Sequence, residues 1–170
     1  MRSSAAGAVV LGLGERQETV AAAESLTGGL VAATIVEVPG ASAVFRGGLV
    51  VYATDLKATL AGVPEQVLAE HGPASAPVAE ALADGVRLRL RATYGVALTG
   101  VAGPDLQDGK PAGTVYVGLA GPHGRAVRHL DLAGDRAAIR SAAVQTALQL
   151  LVALLSEHPP VPDLEGVRNP

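Results

Sequence analysis

At 170 residues with a formal net charge of −3, the chain has the length of one domain that buries a full core without staples. Hydrophobic residues make up 49% of it and aromatic residues only 2%, so the core is expected to consist of Ala, Val and Leu, and base stacking on aromatic platforms is disfavoured. The lack of cysteine removes disulfides, thiolate nucleophiles and Cys-based zinc sites, while an acidic balance with no basic run argues against nucleic acid or an anionic membrane as partner, leaving a small ligand.

Residues 3–16 carry a weak, alanine-rich helical pattern and read as a packing helix. The apolar run is too short and too broken by Gly7, Gly12 and Gly14 for a signal peptide, and no window is expected to approach the roughly 18 apolar residues of a membrane span. A cytoplasmic location fits. A dinucleotide fingerprint is discarded, because Gln17 stands where its third glycine belongs and no strand precedes it. Thr19 to Ala23 is a short apolar strand that meets Ala23-Glu24-Ser25-Leu26-Thr27-Gly28-Gly29 and then a helix from Gly29 to Val38. Such a junction offers backbone N–H groups and a helix dipole to an anion and presents Ser25 and Thr27 to a ligand; a plain N-cap beside a Gly-Gly turn is the alternative.

Pro39 to Ser42 is a turn, Gly47 to Tyr52 a second buried strand, and Asp55 to Ala61 a short helix carrying Lys57. Another helix starts at Pro64 and is stopped by His71-Gly72-Pro73. Ser75 caps a long helix to about Ala92 with Val78, Leu82, Val86 and Leu90 on one stripe. Tyr94 to Leu98 is a third strand that runs into the small-residue turn Thr99-Gly100-Val101-Ala102-Gly103-Pro104-Asp105, and Thr114 to Ala120 pairs with Arg125 to Leu132 in a hairpin. The longest helix, Arg136 to Leu155, places Ile139, Ala143, Ala147, Leu148, Leu151 and Leu155 on a core stripe, and the Pro-rich tail from Ser156 is irregular. The expectation is a single α/β domain over 1–155, an α/β/α sandwich with a mixed central sheet, followed by a tail over 156–170. Ligands then sit at the C-terminal ends of strands, where the turns at Ser25, Tyr52 and Thr99 converge.

With eleven arginines and only two lysines, Lys57 and Lys110, a lysine at 57 asks for a reason. Unlike arginine, it can lose its proton when buried, so serine as nucleophile (Ser25), lysine as base (Lys57) and tyrosine as relay (Tyr52) is an available constellation. The alternative is a solvated helix lysine beside a core-edge tyrosine. Arg136 and Arg140 stand one turn apart at a helix start, where the macrodipole disfavours cations by about 0.3–1 kcal/mol and a bound phosphate would reverse the sign; a solvated face with Asp135 as N-cap is equally open. Glu24 polarises the site or satisfies turn N–H groups. His71, His123, His129 and His158 show no metal-ligand spacing and read as surface residues, so no metal is expected.

Taken together, residues 23–29, Gly-Gly-Leu-Val-Val-Tyr-Ala-Thr-Asp-Leu-Lys (47–57), residues 99–105, Lys-Pro-Ala-Gly-Thr-Val-Tyr (110–116) and Gly-Asp-Arg (134–136) give the chain its resemblance to the CinA C-terminal domain family, the nicotinamide-nucleotide amidohydrolases, over about residues 5–155. The chain looks like the stand-alone form of that family. The resemblance implies hydrolysis of nicotinamide mononucleotide to nicotinate mononucleotide and ammonia in pyridine nucleotide recycling, without metal or cofactor, by a self-associating protein. It also implies Ser25, Tyr52 and Lys57 as catalytic residues, with Glu24, Thr27, Gly28, Gly29, Thr99, Gly100, Ala102, Gly103, Arg136 and Arg140 around the nucleotide. The chain departs from the family pattern in a short, glycine-poor loop between Pro104 and Lys110 and in a first helix poor in charge. A non-catalytic nucleotide-binding or competence-associated partner module of the same fold is the reading from another functional class.

Overall fold

The computed structural model describes residues 4–160. Strands β1 (Val20–Glu24), β2 (Phe45–Val50), β3 (Tyr94–Gly100), β4 (Thr114–Gly121) and β5 (Gly124–Asp131) form one sheet in the order β2-β1-β3-β4-β5. The first three are parallel and the last two antiparallel to their neighbours, so the sheet is mixed. Helices α1 (Ala5–Arg16), α2 (Leu30–Val36) and α6 (Arg136–Glu157) cover one face. Helix α5 (Ala76–Arg89), with the short α3 (Thr54–Thr59) and α4 (Glu65–His71), covers the other. The fold is the α/β/α sandwich that the sequence implies.

The period of two along each strand decides what each layer meets. Val20 and Ala22 of β1, Val96 and Leu98 of β3, and Val115, Val117 and Leu119 of β4 pack towards α1 and α6. The alternate positions Ala21, Ala23, Ala97 and Ala120 face α5 instead. Because these residues are small, α5 lies almost on the strand backbone: a Cβ added to Gly95 would run into the carbonyl oxygen of Ala83, and one added to Gly118 into that of Ala79. Glycine at 95 and 118 is therefore a packing requirement.

Three expectations need correction. The second strand runs from Phe45 to Val50, with Arg46, Gly48 and Val50 exposed, because β2 is one of the two edge strands and has a neighbour on one side only; Tyr52 lies past its end and is 60% exposed. Ser75 stands at the N-cap of α5 but caps nothing, since its hydroxyl donates to Gly72 O at 3.0 Å and closes the preceding turn. Helix α6 continues to Glu157 and is long and apolar enough to cross a membrane by length and composition, against the expectation that no window approaches such a span. In this fold its Ile139, Ala143, Val144, Ala147, Leu148, Leu151 and Leu155 are buried in the core shared with α1 and the sheet. Residues 161–170 of the expected tail lie outside the described residues.

Gly95→Ala should lower the free energy of unfolding by about 1–3 kcal/mol, the usual penalty of overpacking. Urea denaturation measures it, and an unchanged midpoint would remove the close approach of α5 from the account of the core.

Candidate active site

The C-terminal ends of β1, β2 and β3 lie at one edge of the sheet, where the chain has crossed from one side of β1 to the other. Alternation sends Glu24 to the α2 side of β1 and Ser25 to the α5 side. Ser25 still continues the ladder, its N–H donating to Leu98 O at 2.9 Å. Glu24 is buried, and its Oε2 accepts from the N–H groups of Gly29 and Val31 at 3.0 Å each while Oε1 accepts from Ala32 at 2.9 Å. These are first-turn donors that have no partner inside a helix. The anion site expected at the start of α2 is therefore filled by the protein's own carboxylate, and Glu24 does not line the cavity described below. Gly29, at φ 102°, makes the left-handed entry into α2 that this arrangement needs.

On the other side, Ser25 meets Lys57 of α3. Lys57 is 1% exposed, and its Nζ donates to Val51 O at 2.8 Å, Tyr52 O at 3.3 Å and Ser25 Oγ at 3.2 Å. Burial pushes the pKa of this amine down, against a smaller opposing pull from the Asp55 carboxylate. A neutral amine has two N–H groups and one lone pair. When the amine is neutral and the two carbonyls take those N–H groups, the contact with Ser25 reverses and the lone pair accepts from the serine hydroxyl. The solvated-lysine alternative does not describe this side chain.

Ser25, Lys57, Tyr52, Thr99, Gly100, Ala102, Gly103 and Arg136 line one cavity of about 310 Å³. That is at the small end of the ~300–1,000 Å³ usual for ligand sites. Tyr52 shares the cavity without joining the Ser–Lys pair through its hydroxyl, which accepts from Arg136 Nη2 at 3.0 Å. Arg136 also donates from Nη1 to Gly103 O at 2.8 Å, tying the start of α6 to the loop after β3. Asp135 caps α6 by accepting from Ala138 N–H at 2.8 Å. Thr99 is 1% exposed, and its hydroxyl donates to Pro73 O at 2.7 Å.

Thr27, Gly28, Gly29 and Arg140 are not part of the lining. Thr27 is fully buried with its hydroxyl unpaired, Gly28 and Gly29 follow it in left-handed conformations, and Arg140 donates to the carbonyls of Leu26 and Thr27 at 2.9 and 3.0 Å. The sequence reading missed Leu26, Thr54, Pro73, Leu106 and Gln107, all of which line the cavity. Leu106 and Gln107 sit in the loop read only as short and glycine-poor, and Pro73 in a turn read only as a helix stop; no residue-type signal marks them. His71, His123 and His129 are exposed, whereas His158 is half-buried and stacked on His123 with ring centroids 4.6 Å apart.

A profile of the CinA C-terminal domain matches residues 2–155. The chain belongs to the CinA C-terminal domain family. It is 55% identical over 152 residues to a CinA-like protein of Frankia casuarinae, covering 89% of this chain and 35% of that protein, and 51% identical over 144 residues to one of Anaeromyxobacter sp., covering 84% and 35%. This CinA-family chain thus spans about a third of the length of those relatives. Among solved structures, the competence/damage inducible protein CihA of Agrobacterium tumefaciens superposes with a TM-score of 0.85 at 35% identity, over 88% of this chain and 93% of that one. A CinA superfamily protein of Klebsiella pneumoniae gives 0.88 at 27% identity, over 91% and 97%.

The lowered pKa of Lys57 carries a signed consequence for this CinA-family domain. Between the lowered value and the ordinary 10.5, the unfolded chain holds a proton that the folded chain has released, so this group makes stability rise with pH; below the lowered value the slope vanishes. Lys57→Met should flatten that alkaline rise relative to the parent. Urea midpoints of both proteins from about pH 7 to pH 10 test it, and parallel curves would mean that the amine titrates as an exposed one.

Proposed function

We propose that this chain is a cytoplasmic, self-associating amidohydrolase that converts nicotinamide mononucleotide and water to nicotinate mononucleotide and ammonia. The observation that supports the reading is the 3.2 Å contact between the buried, pKa-lowered Lys57 amine and the Ser25 hydroxyl, both lining a cavity of about 310 Å³. In this mechanism Ser25 Oγ attacks the carboxamide carbon as Lys57 Nζ takes its proton. Lys57 then returns the proton to the amide nitrogen, the C–N bond breaks, and ammonia leaves an acyl-serine. Water attacks the ester with Lys57 again accepting the proton, and the carboxylate product departs as Oγ regains its hydrogen. The N–H of Leu26, a cavity-lining residue, donates to no other described group and is the nearest main-chain donor along the chain for the oxyanion.

Arg136 is the phosphate ligand in this reading. Two of its five N–H groups are used on Gly103 and Tyr52, and it stands at the positive end of α6 beside the cavity. Thr99, Gly100, Ala102 and Gly103 form the wall against which the nucleotide rests. A non-catalytic competence-associated module is the second reading, in keeping with the name competence/damage inducible protein borne by the similar Agrobacterium protein. Ammonia release by the purified protein discriminates between them, with nicotinamide riboside and free nicotinamide as comparisons. The amidohydrolase reading requires release from the mononucleotide well above both; no release from any of the three would leave the module.

Two substitutions divide the roles. Lys57→Arg should be nearly as damaging as Lys57→Ala, a loss of about 10² to 10⁴ in kcat, because a guanidinium cannot give up its proton. Retention of most of kcat in Lys57→Arg would make Lys57 an electrostatic anchor. Arg136→Ala should raise KM far more than it lowers kcat, as expected for a contact made equally in ground and transition states, and an unchanged KM would remove Arg136 from the phosphate site.

A further inference from the structure

Arg140 stands one turn after Arg136 yet turns away from the cavity. Its Nε donates to Leu26 O at 2.9 Å and its Nη2 to Thr27 O at 3.0 Å, the two carbonyls that directly follow Ser25 in the chain. The turn that carries them has weak bonds of its own: Gly28 N–H reaches Ser25 O at 3.1 Å and Leu30 N–H reaches Thr27 O at 3.2 Å, both at the long end for N–H···O. Gly28 and Gly29 are in left-handed conformations, φ 58° and 102°, so the turn is built from permissive residues. Glu24 secures its far side through the N–H groups of Gly29, Val31 and Ala32. Arg140 is the charged group that secures the carbonyl side.

Peptide planes carry the effect from Arg140 to the chemistry. A planar peptide whose C=O is fixed has its N–H fixed in the opposite direction. Holding Thr27 O therefore aims Gly28 N–H, which donates to Ser25 O; the plane that contains Ser25 O also contains the N–H of Leu26. We infer that Arg140 is a positioning residue, clamping the carbonyls of Leu26 and Thr27 so that the Ser25 hydroxyl stays on Lys57 and the Leu26 N–H keeps its orientation. The fork of a guanidinium spans two adjacent carbonyls, which a single ammonium cannot match. The inference rests on the reading of Ser25 as nucleophile for its catalytic part, and on the hydrogen bonds alone for its structural part.

The test uses the whole chain with nicotinamide mononucleotide as substrate. Arg140→Ala should lower kcat on the order of 10²-fold, the effect of a small misplacement of reacting groups, with KM and the acid limb of the pH profile unchanged. Added guanidinium ion should restore part of the lost kcat, and Arg140→Lys should fall between parent and Ala. A kcat within about threefold of the parent would overturn the clamp, as would a raised KM at constant kcat, which would return Arg140 to the substrate. If Arg140→Ala fails to fold by circular dichroism, Arg140→Lys carries the same readouts. Amide hydrogen exchange at Gly28 and Leu30 needs no turnover: faster exchange in the variant supports the clamp and equal exchange overturns it. Failure of the parent to release ammonia would therefore fall on the proposed reaction and leave the clamp to be decided by exchange.

Discussion

The placement of one amine inside the fold organises the rest. Lys57 Nζ is almost fully removed from water, and its described partners are two carbonyls and a hydroxyl, with no carboxylate in contact. Burial makes charging this group costlier than charging an exposed lysine, and its pKa is lowered accordingly. The setting depends on strand register. Val51 N–H donates to Glu24 O at 2.8 Å, extending the parallel pairing that sets Glu24 opposite Val50, and this brings the carbonyls of Val51 and Tyr52 beside Ser25. A slip of one residue between β1 and β2 would separate the serine from its amine.

The turn after β1 is held from two directions by opposite charges. The Glu24 carboxylate gathers three N–H groups at the start of α2, and the Arg140 guanidinium gathers two carbonyls from α6. Charge-assisted hydrogen bonds of this kind are among the stronger ones available to a protein. They pin a glycine-rich turn that would otherwise have little to order it. The opposite layer uses a different device, the near contact of α5 with a sheet face of Ala and Gly, which needs no polar group at all.

The order of strands and helices, the sandwich and the convergence of the strand ends at Ser25, Tyr52 and Thr99, with Lys57 beside them, were legible in the sequence from hydrophobic period, turn chemistry and a scarce residue type, whereas the place of Arg136 beside them was implied by the family resemblance. What was not legible depends on direction. Spacing places Arg136 and Arg140 on one side of a helix but does not say that one guanidinium enters the cavity and the other turns to the backbone. Nor does it say that Glu24 faces away from Ser25; the strand's alternation decides that only once the boundary of β1 is known. The exposure of β2 was hidden for the same reason, since a Val-Val-Tyr run reads alike at the centre and the edge of a sheet until the strand order is in hand.

The central claim is that Ser25 forms a covalent bond to the substrate with Lys57 as base. Rapid mixing with nicotinamide mononucleotide, acid quench and mass spectrometry of the intact and digested protein tests it most directly. The account predicts a nicotinate-nucleotide adduct on the peptide that contains Ser25, formed in a burst by the parent and absent from Ser25→Ala. Steady release of ammonia with no adduct on Ser25, even when the quench is fast enough to catch the first turnover, would contradict it and point to direct attack by water.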